Sequence, residues 1–124
     1  MAKILVADDD REVRELSIFT LRFAGHDVLG VSNGEEAVIQ AKVYGPDLIL
    51  MDVRMPKMNG YEACKLLKAD ATTSSIPVIF LSARSENTDI QAGLNAGAVD
   101  YIQKPIAPDQ LAEKVKSHLQ KAGK

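Results

Sequence analysis

The sequence predicts an α/β fold, a doubly wound parallel sheet of five strands with helices on both faces. Three observations predict it. Short apolar runs recur five times, and even the longest spans only four or five residues, which suits strands and is too short for helices. Stretches with apolar residues at helical spacing separate them. The connections are short, and strand–helix alternation with short connections requires parallel strands. The clearest run is Leu48-Ile49-Leu50-Met51-Asp52, four large apolar residues ending in one acid. Gly45-Pro46 before it and Pro56 after it bound a strand buried on both faces, so Asp52 sits where that strand emerges from the core.

Taken in order, Ile4-Leu5-Val6-Ala7 is the first strand and runs into Asp8-Asp9-Asp10. Over 11–24, Val13, Leu16, Thr20 and Phe23 recur at helical spacing, and Gly25 suits the position after a helix end. Asp27–Val31 is a weaker strand. Asn33 and Glu36 stand at capping-box spacing, with Asn in place of Ser or Thr, before a helix that runs to Tyr44. After the central strand and a loop, a helix near 60–69 places Ala63, Leu66 and Leu67 inward. Thr72-Thr73-Ser74-Ser75 is a polar connector, too short to link two domains. Pro77–Ser82 is the fourth strand, with proline tolerated at its start. A helix near 86–96, poor in large apolar residues beyond Ile90 and Leu94, is the least firmly held element expected. The strand Val99–Lys104 is closed by Pro105, and the last helix sets Leu111, Val115 and Leu119 four apart on one face.

Composition narrows the function classes. At 124 residues the chain suits one domain, 1–124, able to bury roughly two-thirds of its unfolded surface. Hydrophobic content of 46% and charged content of 26% are those of an ordinary globular protein. The net charge is −2 and Lys and Arg are scattered, which gives no electrostatic footprint for nucleic acid or an anionic membrane. Cys64 is the one cysteine, so neither an internal disulfide nor a zinc cluster can form. No signal peptide or membrane-length apolar run is present. The expected setting is reduced and cytoplasmic.

In sheets of this kind ligands bind at the carboxyl ends of the strands. Strand one delivers Asp8 and Asp9 there, strand three Asp52, strand four Ser82 and strand five Lys104; strand two offers only Ser32 and Asn33. Three carboxylates in a small area repel unless a cation intervenes, and oxygen ligands favour Mg²⁺ or Ca²⁺. Three acids, one lysine and one divalent cation sum to zero charge. Such a site can accept a phosphoryl group, with Ser82 and Lys104 as donors to its oxygens. The competing reading is a solvated acidic turn capping the first helix, and for Asp10 that reading is preferred.

The stretches Ile4–Asp10, Met51–Gly60, Leu81–Ala83 and Ala96–Pro105, in register and in order, resemble the receiver domain of bacterial two-component response regulators, the chemotaxis-type single-domain fold. The resemblance covers the whole chain. It implies a flavodoxin-like sheet in the order 2-1-3-4-5. It implies Asp52 as phosphoacceptor from a kinase phosphohistidine, and Mg²⁺ held by Asp9 and Asp52, by Asp8 mainly through water, and by the Arg54 backbone carbonyl. Ser82 and Lys104 would bind the phosphoryl oxygens. Tyr101 would change rotamer with Ser82, although a half-buried strand aromatic is the plainer account of it. Lys104-Pro105 would be cis, and Ala83 would leave room for the incoming group. Arg54 and Arg84 flank the phosphoryl position and bear on its lifetime, or else are surface residues.

The implied function is a phosphorylation-dependent switch that catalyses its own phosphorylation and dephosphorylation without being a conventional enzyme. Its partners would be a sensor histidine kinase or phosphotransfer protein and an effector docking on the 86–119 face. No nucleic acid or membrane contact is expected, and the chain would be a monomer or a weak phosphorylation-dependent dimer. A flavodoxin would need a phosphate-cradling loop where three Asp stand. A small Mg-dependent aspartyl-phosphate hydrolase would want an acid at Arg54. A pseudo-receiver would lack the full set Asp8, Asp9, Asp52, Ser82 and Lys104.

Overall fold

The computed structural model describes residues 2–82 and 87–123, with backbone only over 87–90. Its strands are β1 (Lys3–Ala7), β2 (Asp27–Val31), β3 (Leu48–Asp52), β4 (Val78–Ser82) and β5 (Asp100–Gln103). Its helices are α1 (Arg11–Phe23), α2 (Gly34–Val43), α3 (Gly60–Ala69), α4 (Asn87–Asn95) and α5 (Pro108–Lys121). The strands pair in parallel in the order β2-β1-β3-β4-β5, as the resemblance implied. Ala7 lies opposite Met51, and Asp52 opposite Leu81, so the carboxyl ends of β1, β3 and β4 stop at nearly one level.

Side chains alternate between the two faces of a strand, and here each face has its own core. Leu5, Ala7, Ile49, Met51, Val78 and Phe80 pack with α2, α3 and the segment after α4. Ile4, Val6, Leu48, Leu50, Ile79 and Leu81 pack with Leu21 of α1 and with Leu111, Val115 and Leu119 of α5. Every residue of β3 is buried, which is why that run showed no polar alternation.

Helix faces depart from the expected pattern at three points. In α1 the buried residues are Ser17 and Leu21, while Leu16 and Phe23 of the spaced set are exposed, Phe23 at 86%. The inward face runs through Ser17 and Leu21, with Ile18 and, from the spaced set, Val13 packed against the same core. In α3 Leu66 faces solvent and Cys64 takes the inward place, its thiol donating to the Ala96 carbonyl at 3.3 Å. In α4 Leu94 is 46% exposed, and the contact with the sheet is made by Gly93, where a Cβ would fall 2.8 Å from Phe80 Cδ2. The Ile90 side chain lies outside the described residues.

Capping follows the sequence closely. The Asp10 carboxylate accepts from Glu12 N–H at 2.9 Å and Val13 N–H at 3.3 Å, so Asp10 is the cap of α1. That helix ends with Gly25 at φ 96° and His26 N–H donating to the Leu21 carbonyl. At α2 the Asn33 side chain accepts from Glu36 N–H at 2.8 Å, but Glu36 reaches the Asn33 side chain and not its backbone. The complete capping box forms at Asn59 and Glu62, which stand at the same spacing.

Candidate functional site

Three consecutive acids after β1 have three different environments. Asp8 stays in register, its N–H donating to the Val31 carbonyl, and is completely buried; Asp9 is exposed; Asp10 caps α1. One Asp8 oxygen, Oδ1, accepts from Asp10 N–H at 2.9 Å. The other, Oδ2, is buried and lies 3.0 Å from Lys104 Nζ as an ion pair, without the alignment of a hydrogen bond. Asp52, also buried, accepts from the same ammonium through Oδ1 at 3.1 Å. Lys104 is placed by its own N–H, which donates to the Ser82 carbonyl at 2.7 Å and extends the β4–β5 pairing by one step. The Lys104-Pro105 peptide is cis, as expected.

Asp8, Asp9 and Asp52 each offer a carboxylate oxygen, and these oxygens lie within 4.8 Å of one another. Lys104 offsets one of three negative charges, so the cluster stays two units negative. The cost falls on Asp52. Burial, and then the neighbouring Asp8 charge, push its carboxyl up to about 6 against the pull of Lys104. Burial alone would lower the Lys104 ammonium, but its close contacts with the Asp8 and Asp52 carboxylates hold it above its ordinary value. An all-oxygen donor set with a poorly satisfied buried carboxylate oxygen fits a hard divalent cation. Asp8, Asp9 and Asp52 are the residues that could hold it.

The loop carrying the remaining implied ligand is tightly braced. Gly60 N–H donates to the Val53 carbonyl at 2.9 Å, and Gly34 N–H at the start of α2 donates to the Met58 carbonyl at 3.1 Å. No Cβ fits at either glycine. At Gly60 it would collide with the Asp52 carbonyl, and at Gly34 with that of Met58. Between these anchors Lys57 takes φ 67°, and Met58 N–H donates to the Pro56 carbonyl two residues back. Arg54 is exposed at the loop's start. Ala83 and Arg84 lie outside the described residues.

Ser82 is buried at the end of β4 and lines a small cavity together with Phe80, Gly93 and Tyr101. Tyr101 is half-buried beside it. One group here escaped the sequence reading. Lys114 of α5 sits 5.5 Å above the Tyr101 ring, donates to the Tyr101 carbonyl at 3.1 Å, and pairs with Asp100 Oδ1 at 3.2 Å. His118 Nε2 lies 2.9 Å from Asp100 Oδ2. Burial works to raise the Asp100 carboxyl, yet the bonds from His118, Tyr101 N–H and Lys114 leave it below its ordinary value. A lysine and a histidine four apart on α5 were visible, but nothing in the sequence paired them with β5.

With this geometry in hand, the chain can be set beside known proteins. Residues 4–116 match the family model described as the response regulator receiver domain. The DNA-binding response regulator MtrA of Mycobacterium leprae is 37% identical over 119 residues, which are 96% of this chain and 52% of that protein. A putative response regulator from Chloroflexus aurantiacus superposes with TM-score 0.92 at 36% identity, covering 96% of this chain and 98% of that one. The chemotaxis response regulator CheY4 of Vibrio cholerae does so with TM-score 0.90 at 31% identity, covering 94% and 98%. The chain belongs to the response regulator receiver domain family, the signalling modules of two-component systems. It spans about half the length of the curated relatives it matches. No helix among the described residues is long and apolar enough to cross a membrane.

Proposed function

We propose that residues 1–124 act as one receiver domain in which Asp52 takes a phosphoryl group from a phosphohistidine. The observation that carries this reading is the Lys104 ammonium held between two buried carboxylates, Asp8 at 3.0 Å and Asp52 at 3.1 Å. In the transfer an Asp52 oxygen forms a bond to phosphorus as the bond from phosphorus to the donor imidazole nitrogen breaks, and the nitrogen keeps that electron pair. Mg²⁺, held by Asp8, Asp9, Asp52 and the Arg54 backbone carbonyl, would supply charge neutralisation for the incoming group. Lys104 and Ser82 donate to the phosphoryl oxygens. As Ser82 moves toward the phosphoryl group it opens space behind it, and Tyr101 turns inward to fill that space in the cavity both residues line.

The upstream partner on this reading is a histidine kinase or phosphotransfer protein, and the downstream partner binds the 86–119 face in a cytoplasmic setting. Acetyl phosphate with MgCl₂ should label the chain at one acid-stable, base-labile site. Label in Asp52→Asn at the wild-type level would sink the assignment. Loss of Mg²⁺ binding is expected in Asp9→Ala and not in Asp10→Ala, whose carboxylate is committed to the helix cap.

A further inference from the structure

We propose that Arg14 is a positioning residue for the cation site, acting through the backbone of Asp8 without touching the cation. The inference rests on the reading above, that Asp8, Asp9 and Asp52 hold Mg²⁺. Arg14 leaves the first turns of α1 and reaches back to the end of β1, where its Nη1 donates to the Asp8 carbonyl at 2.8 Å. Its stem crosses β2 at Gly30. A Cβ there would lie 2.7 Å from Ile18 Cδ1 and 3.3 Å from Arg14 Cδ, so the glycine leaves room for Ile18 and the arginine stem together.

The Asp8 residue is therefore fixed at three polar atoms. Its N–H is held by the Val31 carbonyl, its Oδ1 by Asp10 N–H, and its carbonyl by Arg14. The carbonyl is the consequential one. It shares a rigid plane with the Asp9 nitrogen, so fixing it sets the direction in which Asp9 leaves the turn. Asp9 needs that help, because it is exposed and makes no hydrogen bond or ion pair among the described residues. A charged donor on a carbonyl is stronger than a neutral one, and Arg14 is partly buried, which keeps solvent from competing for the same oxygen.

Arg14 could instead serve only to cover Gly30, and two substitutions separate the roles. Arg14→Met keeps the stem and removes the donors, and Arg14→Lys keeps a charged donor. Each is titrated with MgCl₂ by calorimetry, and each is melted in EDTA. Arg14→Met should lose about 10–100-fold in Mg²⁺ affinity, the usual effect of removing a partner that orients a ligand, while melting close to wild type in EDTA. Arg14→Lys should recover most of the loss. Equal affinity in Arg14→Met and wild type overturns the proposal, as does a lysine variant no better than the methionine one. If Arg14→Met does not fold, Arg14→Gln, too short to reach the carbonyl, is read by the same criteria. A wild-type chain that binds no Mg²⁺ is a separate result, and it overturns the cation reading itself.

Discussion

At the scale of single residues, the acids at the strand ends were legible because chemistry restricts what can stand there. A buried carboxylate is costly unless it is paired, so Asp52 at the end of a wholly apolar strand announced a site. The pairing itself was not legible, since Lys104 lies far away in sequence and reaches both Asp8 and Asp52. Its price shows in pH dependence. With Mg²⁺ removed by EDTA, folded Asp52 titrates near 6 and an unfolded one near 4. Between those values the folded state holds a proton that the unfolded state has lost, so stability falls as pH rises through that window. Asp52→Asn should lack this fall and melt higher than wild type at neutral pH. The same slope between pH 4 and 6 in both proteins would contradict the assignment of the shift to Asp52. Exposed Arg54 has a different expectation. If it hinders the attacking water, Arg54→Ala should change the dephosphorylation rate while Mg²⁺ affinity holds, and an unchanged rate would leave it a surface residue.

At the scale of elements, existence and order were legible, and helix orientation was less so. Strands announced themselves by length and burial, and the ends of α1 and α2 by their caps. Orientation failed where a helix carried more than one apolar stripe. The spacing of Leu16, Thr20 and Phe23 is truly helical, but the sheet receives Leu21 and the small Ser17 instead. Which stripe a helix buries depends on the surface it meets, and single-helix periodicity does not contain that surface. Leu21→Ala should therefore cost about 2–5 kcal/mol, the range for emptying a filled core position. Phe23→Ser should stay within about 0.5 kcal/mol, as for a surface change. Chemical denaturation of the two variants decides it. A larger loss for Phe23→Ser would restore the face suggested by the spacing.

At the scale of the whole molecule, the proposed reading has a phosphoryl group on Asp52 shift the 86–119 face, and energetics bound how far it can do so. Driving a two-state switch from one per cent to ninety-nine takes about 5.5 kcal/mol of differential binding. Two wholly new charge-assisted bonds, at roughly 1.5–3 kcal/mol each, would come close to that. The structure reduces the figure, because Lys104 does not start free. Lys104 already bonds Asp52 and pairs with Asp8. An exchange gains only the difference between the old bond and the new one, and Lys104 trades one charged acceptor for another. A gain of half the 5.5 kcal/mol, about 2.7 kcal/mol, brings a switch resting at one to ninety-nine only to even populations. Lys114 opposes the change further, holding the Tyr101 ring and carbonyl and Asp100 in their present places. Beryllofluoride with MgCl₂ should therefore give partial changes in amide exchange across α4, β5 and α5. Lys114→Met, which frees Tyr101, should enlarge them. Changes confined to α1 and α2 would place the output face on the wrong side of the sheet. Complete conversion in the wild type with no partner present would show that the bonds formed outweigh this estimate.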